Sequence, residues 1–557
     1  MGWGLPRLCE SKLAAVSLIV AARFAVSCRL ALFAVVLLCV SVTSCSSSES
    51  TPRSTTRPAS PESSASEDSP ESAPKPSDPQ PAGSAGTPLA AFPPTRDRWS
   101  YLPEAVSAQV PAIEADSERT ELQELRAAAA APRPPGSDDR FTRVAEGTPT
   151  RFMDLAVDVG RRRSLNPLRM ARNSAIIAVA AHEAALAAAR TTLSTEPSPA
   201  QVDSAFAEPI SGVDSVGLEL PDRELPPELV TASAQRTAAC DLYKVECTRF
   251  ERLQQIAKNR VVASGSVWPS TLQAAEKLGT TVGSSVLTFA SSDGALPWAG
   301  SPSDLPSGGD WVPTPEMFAP ALEPLAGSWR PWNFEGANQF RPPTPPARGS
   351  AEHKAATDQV FAEATNISDR NLRLAAFWDQ GPGTSTPPGY WMSDIAADSL
   401  RQATVADQAS GLALLATAEA DAGIASWDSK YFFRTVRPVT VIRDTKSPQW
   451  LPSLQTPPFP AYVSGHAAYS TAAAQVMSAL RPERTDEFFD AAAEATDSRL
   501  TGGIHYWYDL VQGATLGQKV GAAALDKAGL TGVPSEVVPV AERLRYTSAD
   551  VRSRPAS

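Results

Sequence analysis

Apolar residues recur every three to four positions through most of the chain beyond about residue 140. The period is clear in RFMDLAVDVGRRRS, RMARNSAIIAVAAHEAALAAARTTL, TLQAAEKLGTTVGSSVLTFA and ADQASGLALLATAEADAGIASWDSKYFF. That spacing places one stripe of each segment against a core, and the abundance of alanine lets neighbouring helices approach closely. Alternation of period two, the mark of a half-buried strand, is scarce, so the pattern predicts an all-α domain over residues 141–545. Between the helical stretches lie Pro- and Gly-rich connections, chiefly residues 296–350 and 381–391, which carry several tryptophans. Connections of that length in a compact domain cover or line something. No repeat of fixed period is present.

Composition changes the picture at the N-terminus. Residues 46–95 consist mostly of Ser, Pro, Ala, Glu and Thr, with almost no large apolar side chains to offset the entropy of ordering. This stretch reads as a disordered tether, and residues 46–140 together as tether and N-terminal extension. Ahead of it, Arg7, Arg23 and Arg29 precede the apolar run LALFAVVLLCVSV, too short to span a bilayer comfortably. Val42, Thr43 and Ser44 before Cys45 resemble a bacterial lipobox. Residues 1–45 then form a signal peptide ending at a lipidated Cys45; an uncleaved signal anchor is the alternative. Both place the chain outside the cytoplasm, either tethered to the outer face of the cell membrane or secreted.

Outside that leader the close cysteines are Cys240 and Cys247 in CDLYKVEC. A disulfide is the simplest fate of such a pair in an oxidising compartment. On a continuous helix, however, seven residues separate the Cα atoms by roughly 10 Å, too far to bridge, so a disulfide requires a break in the helix. The pair lacks the companions of a zinc site. With 50 Lys and Arg against 61 Asp and Glu, and no dense basic tract, the chain is not built for nucleic acid.

Candidate chemistry concentrates in three segments of the C-terminal third. In KYFFRTVRP, Lys430 and Arg437 stand two helical turns apart, so on a helix both cations leave nearly the same face, with Pro438 ending it. They suit an oxyanion, or else a solvated basic face. In FPAYVSGHAAYS, Ser464 has N-cap chemistry and the following residues read as a helix. The Gly465 amide and the Ser464 hydroxyl then point to an anion at the positive end of the helix dipole, with His466 in the first turn. In DSRLTGGIHYWYD, Arg499 adds a fork of donors, and Asp509 lies four residues beyond His505, the helical spacing that fixes an imidazole tautomer. A buried structural His-Asp pair is the competing reading there. His182 reads as a helix residue, His353 has no evident role, and Arg434 reads as a surface ion pair.

Taken together, Lys-x6-Arg-Pro, Ser-Gly-His and Ser-Arg-x5-His-x3-Asp resemble the three-part pattern of the superfamily that joins type-two phosphatidic acid phosphatases with vanadium-dependent haloperoxidases. Val463 stands where the family usually has proline before Ser-Gly-His. Phrases such as GDWVPTPEMFAPALEPLAGSWRPW, FWDQGPGTSTPPGYW and LQTPPFPAYVSGH resemble the bacterial vanadium-haloperoxidase-type proteins, and the likeness runs from about residue 145 to 530. The resemblance implies paired four-helix bundles. It assigns Lys430, Arg437, Ser464, Gly465 and Arg499 as donors to the oxyanion, His505 as the apical ligand of vanadate and His466 as the acid-base residue. Trp427 and Phe459 match positions that flank the halide, although both also suit ordinary packing. The implied partners are hydrogen peroxide and halide. The alternatives are a metal-free acid phosphatase that attacks a phosphomonoester through His505, and a lipoprotein that only binds an oxyanion.

Overall fold

The computed structural model describes residues 86–102, 148–191, 225–264, 269–295, 309–530, 532–533 and 537–546. Cys45, the leader and most of the Ser/Pro-rich stretch lie outside these residues. Among the described residues the architecture is all-α: two isolated bridges occur, and no strand pairs into a sheet. The principal helices are α1 (Thr148–Arg162), α2 (Pro167–Arg190), α3 (Pro227–Leu242), α4 (Cys247–Ala263) and α5 (Pro269–Ala290). They are followed by α6 (Ala351–Thr365), α7 (Asp369–Phe377), α8 (Val405–Phe433), α9 (Pro438–Thr445), α10 (Gly465–Leu480), α11 (Thr485–Thr501) and α12 (Trp507–Lys527). None of the described helices is long and apolar enough to cross a membrane.

These helices form paired bundles that meet at α8. One face of α8 packs on α2, which packs in turn on α3 and α5; the other packs on α10 and α12, with α11 against α10. A helix covered on two sides is apolar nearly all round, and from Gln408 to Trp427 every residue of α8 is buried. Local chemistry sets its ends. Thr404 caps the start by accepting from the Asp407 amide, and Arg434 closes the end in the left-handed region at φ 49°, its N–H bonded to the Lys430 carbonyl.

Two sequence-based expectations change here. Pro438 begins α9 instead of ending the preceding helix, because proline fits the first helical position, where no N–H partner is required. Arg437 is therefore the residue before α9, on the link that follows the left-handed turn. In addition, residues 86–102, inside the stretch read as tether and extension, pack on the first bundle. Arg98 makes a buried ion pair with Asp407 and bonds Ser410 Oγ at 2.9 Å, while Tyr101 N–H donates to Glu183. His182 is buried beneath this strap, donating from Nε2 to the Trp99 carbonyl and accepting at Nδ1 from Ser410. The strap is anchored by Arg98 and by aromatic residues, a type absent from the Ser/Pro stretch before it.

Cys240 and Cys247 are joined by a disulfide. The helix breaks between them: α3 ends at Leu242, Tyr243 leaves the helical region at φ −128° and ψ 52°, and α4 begins at Cys247. The break brings the two Cα atoms to 4.5 Å.

The C-terminal bundle fixes the register of α10 against α12 through small residues. A Cβ at Gly513 would stand 2.6 Å from the Ser464 carbonyl oxygen, and one at Gly517 would stand 2.4 Å from that of Ala468. Ser464 N–H also donates to the Asp509 carbonyl at 3.0 Å, so the first turn of α12 is bonded to the cap of α10. Gly513→Ala is expected to cost about 1–3 kcal/mol by forcing these backbones apart. Urea unfolding with circular dichroism checks it, and an unchanged midpoint would contradict the close-contact account.

Candidate oxyanion site

Three cations lie fully buried at the inner end of the second bundle: Lys430 near the end of α8, Arg437 before α9 and Arg499 in the last turn of α11, each 0% exposed. The carboxylate buried among them is Asp509, also 0% exposed; Asp379, at the rim, acts on Arg499. Burial lowers Arg437 to about 10 and Arg499 to about 9, so both remain cations at neutral pH. Burial likewise lowers Lys430 and raises Asp509 to about 7.

The three cations are used differently. Lys430 Nζ donates to the carbonyls of Pro460, Ala461 and Val463 at 3.0, 3.0 and 2.5 Å. All three of its protons thus hold the turn that leads into Ser464, and it serves the cradle through charge and loop geometry. Arg437 donates from Nε to the Phe459 carbonyl at 2.8 Å and from Nη1 to the Ile504 carbonyl at 2.7 Å. Arg499 donates from Nε to Ser498 and from Nη2 to the Ala375 carbonyl. Arg437 Nη2 and Arg499 Nη1 remain buried without a protein partner. Leaving such donors unsatisfied is costly, and an oxyanion supplies the missing acceptors.

The backbone completes the cradle. Ser464 caps α10, its Oγ accepting from the Ala467 amide at 3.4 Å. Gly465 occupies the first helical position, where the amide has no intrahelical acceptor. A Cβ on Gly465 would meet Trp427 and Tyr469 at ordinary distances of 3.6 and 3.7 Å, so the surrounding protein does not demand glycine. Glycine there leaves the helix N-terminus open to close approach.

Two imidazoles face the same space. His505 Nδ1 lies 2.9 Å from Asp509 Oδ2, and its Nε2 lies 3.1 Å from Arg437 Nη1. A guanidinium only donates, so Nε2 is the acceptor and Nδ1 carries the proton given to Asp509. The tautomer is therefore fixed with the Nε2 lone pair directed into the cation cluster. The His505–Asp509 spacing does not act along a helix face as its four-residue separation suggested. His505 precedes α12, and Asp509 Oδ2 caps that helix by accepting from Tyr506 N–H at 3.0 Å while it holds the imidazole. His466 is partly buried; backbone groups at Trp378 and Asp379 bond its ring, and its Nε2 is buried without a partner. Burial and the nearby cations hold both imidazoles well below their usual range, so both are neutral.

Lys430, Arg437, Arg499 and His466 all act electrostatically on His505, which locates the five groups at one site. Trp427 and Phe459 form its apolar wall. Their rings are 4.8 Å apart, and Trp427 spends its N–H on the Leu322 carbonyl. Phe459 also faces two cations, with Lys430 Nζ at 4.9 Å and Arg437 Cζ at 5.0 Å from its centroid. The sequence reading did not single out the backbone of residues 375–379, which receives Arg499 and holds His466; the signal was the FWDQGPG phrase, whose contribution is main chain more than side chain. His353 lies behind the site, its ring 5.2 Å from that of Tyr506, and Arg434 serves as the helix terminator of α8.

Residues 411–485 match the model of the VCPO second helical-bundle domain. Over 87 residues the chain is 40% identical to the vanadium chloroperoxidase of Curvularia inaequalis, a match spanning 13% of this chain and 14% of that enzyme. A crystal structure of a bacterial vanadium-dependent iodoperoxidase superposes with a TM-score of 0.55 at 26% identity, covering 69% of this chain and 97% of that one. These likenesses support kinship with the vanadium-haloperoxidase superfamily. A holo bacterial vanadium-dependent chloroperoxidase aligns at 15% identity and a TM-score of 0.46, over 68% of this chain and 92% of that one.

Vanadate fits this superfamily site on its chemistry. Unpartnered guanidinium donors and a helix N-terminus suit the oxygens, and a neutral, tautomer-locked Nε2 suits the metal. Arg437→Ala and Arg499→Ala should each weaken inorganic phosphate binding by about 10- to 150-fold, the loss of one charge-assisted bond of about 1.5–3 kcal/mol. Calorimetric titration checks this; unchanged affinity in both variants would remove the cradle assignment.

Proposed function

We propose that this chain is a vanadate-dependent haloperoxidase that oxidises halide with hydrogen peroxide. The observation that carries the reading is the convergence of buried, unpartnered guanidinium N–H groups on a neutral histidine whose lone pair is aimed among them. The kinship with proteins described as vanadium chloroperoxidase and vanadium-dependent iodoperoxidase supports it.

Arg437, Arg499, Ser464 and the Gly465 amide would hold the oxyanion oxygens, and His505 Nε2 would ligate the metal. Bound vanadate supplies Lewis-acid activation of peroxide. Asp509 keeps the proton on His505 Nδ1, so Nε2 stays available as a donor atom throughout turnover. His466 Nε2, neutral and partnerless, is the group that takes a proton from incoming peroxide and returns it to the leaving oxygen. Trp427 and Phe459 exclude water on one side, where a partly dehydrated halide is more readily oxidised. The lipid anchor at Cys45 would keep this chemistry outside the cytoplasm, at the cell surface.

The test is to assay the full chain with and without orthovanadate for peroxide-dependent bromination and for phosphomonoester hydrolysis. Vanadate-dependent bromination, lost by at least about a hundredfold in His505→Ala, is the expected outcome. Hydrolysis that vanadate inhibits, without halogenation, would replace this reading with the phosphatase. Phosphate binding with neither activity would leave only an anion carrier.

A further inference from the structure

His466 is held by main chain, and that main chain is held in turn by a carboxyl group outside the cradle. The backbone concerned is the C-terminal end of α7, where the last carbonyls of a helix lack intrahelical partners. Leu374 and Ala376 accept from the Trp378 and Asp379 amides at 3.0 and 3.3 Å. Ala375 accepts from Arg499 Nη2 and Phe377 from Gln380 Nε2, each at 3.0 Å. Beyond these lie Trp378 and Asp379, whose backbone bonds the His466 ring. Their amides are already spent within α7, so what they offer the imidazole is carbonyl oxygen, which only accepts. The ring nitrogen facing them therefore carries the proton. Nε2 is the ring nitrogen buried without a partner, which assigns the proton to Nδ1 and the lone pair to Nε2.

Trp378 decides where those carbonyls stand. Its indole is 1% exposed, and the rings of Phe377 and Tyr390 meet it edge-on at 5.2 and 5.1 Å. The two rings confine the indole, and one hydrogen bond sets how it is turned: Nε1–H donates to Glu494 Oε1 of α11 at 2.9 Å. Glu494 and Arg499 both belong to α11, so one helix grips the end of α7 twice, at Trp378 and at Ala375. A buried indole N–H deprived of its acceptor is costly, and the chain bearing it shifts until another partner is found.

We propose that Glu494 is a positioning residue for His466: through Trp378 it places the two carbonyls that keep the ring proton on Nδ1 and leave Nε2 free to accept. Its part in turnover rests on the acid-base role proposed for His466, whereas its control of the tautomer does not. The two imidazoles then reach the same tautomer by different means. Asp509 holds the Nδ1 proton of His505 directly, while α11 holds that of His466 through the end of α7.

The experiment is NMR of the full chain carrying nitrogen-15 histidine, without vanadate, the His466 signals being assigned by their loss in His466→Asn. Wild type should show a protonated Nδ1 and a bare Nε2, and a proton on Nε2 overturns the inference with no further variant needed. Glu494→Leu should populate both tautomers, whereas Glu494→Gln, whose amide oxygen still accepts from the indole, should keep the wild-type pattern. Trp378→Phe removes the donor instead of the acceptor and should match Glu494→Leu, so the test survives the failure of either variant to fold. A wild-type pattern in Glu494→Leu or in Trp378→Phe overturns the inference. With vanadate and peroxide, kcat for bromination should fall at least about tenfold in Glu494→Leu, with the halide KM and vanadate affinity within about threefold of wild type, and recover in Glu494→Gln. Parallel loss of kcat and vanadate affinity would make Glu494 a support of the fold alone and overturn the proposal. Absence of bromination in wild type removes the proposed function and leaves the tautomer result standing, whereas bromination with an undisturbed tautomer in Glu494→Leu overturns this inference alone.

Discussion

Three buried cations answered by one equally buried carboxylate are the constraint on which the C-terminal bundle depends. A guanidinium or ammonium removed from water loses several kcal/mol of hydration, and Asp509 restores part of that for the group as a whole. The remainder is met by carbonyl oxygens. Lys430 takes three of them from the 460–463 turn, Arg437 takes those of Phe459 and Ile504, and Arg499 takes that of Ala375. The loops that donate these carbonyls are thereby fixed in place, so the irregular segments around the site are as determined as the helices. What is left over is a surplus of positive charge and two guanidinium nitrogens without a protein partner, the features on which the proposed anion binding rests.

The helical frame exists to hold that arrangement still. Because α8 is covered on both sides, it carries Trp427 and Lys430 into the interior on a rod that cannot tilt without disturbing both bundles. The close contact of Gly513 and Gly517 with α10 sets the height of the Ser464 cap relative to α12. Asp509 then performs two duties at once. It caps α12 and orients His505, so folding of the helix and selection of the imidazole tautomer are a single event. A residue that terminates backbone hydrogen bonding and tunes a ligand atom in this way is poorly replaceable, even by its amide.

Much of this was legible from the chain. Helical period and alanine content identify the all-α class, and Ser464 before GHAAYSTAAAQVM marks the start of α10 by N-cap chemistry alone. The cation and histidine segments are recognisable because they carry charge and imidazole in an otherwise apolar third of the sequence. Propensity failed where tertiary contacts choose between locally equivalent answers. Pro438 is compatible with the end of one helix or the start of the next, and the left-handed turn at Arg434 decides it. The strap of residues 86–102 was hidden because its anchors, Arg98 and Tyr101, bond to Asp407 and Glu183 far along the chain. Acceptance by main-chain carbonyls, as at Ala375, leaves almost no trace in side-chain identity.

Phe459 links the anion cradle to the chemistry proposed for it. An apolar wall alone is a poor place for a halide, because stripping water from the ion costs more than contact with a ring returns. Phe459 is not alone, since Lys430 and Arg437 both lie about 5 Å from its centroid, on a side chain that also packs against Trp427. The ring satisfies the cations through its face while it excludes water from them, which strengthens their field in the space beyond. Under the proposed function, a halide brought to that wall would exchange hydration for the attraction of two buried positive charges. The same wall offers nothing specific to a phosphomonoester, whose polar remainder needs hydrogen-bond partners that an aromatic pair does not supply.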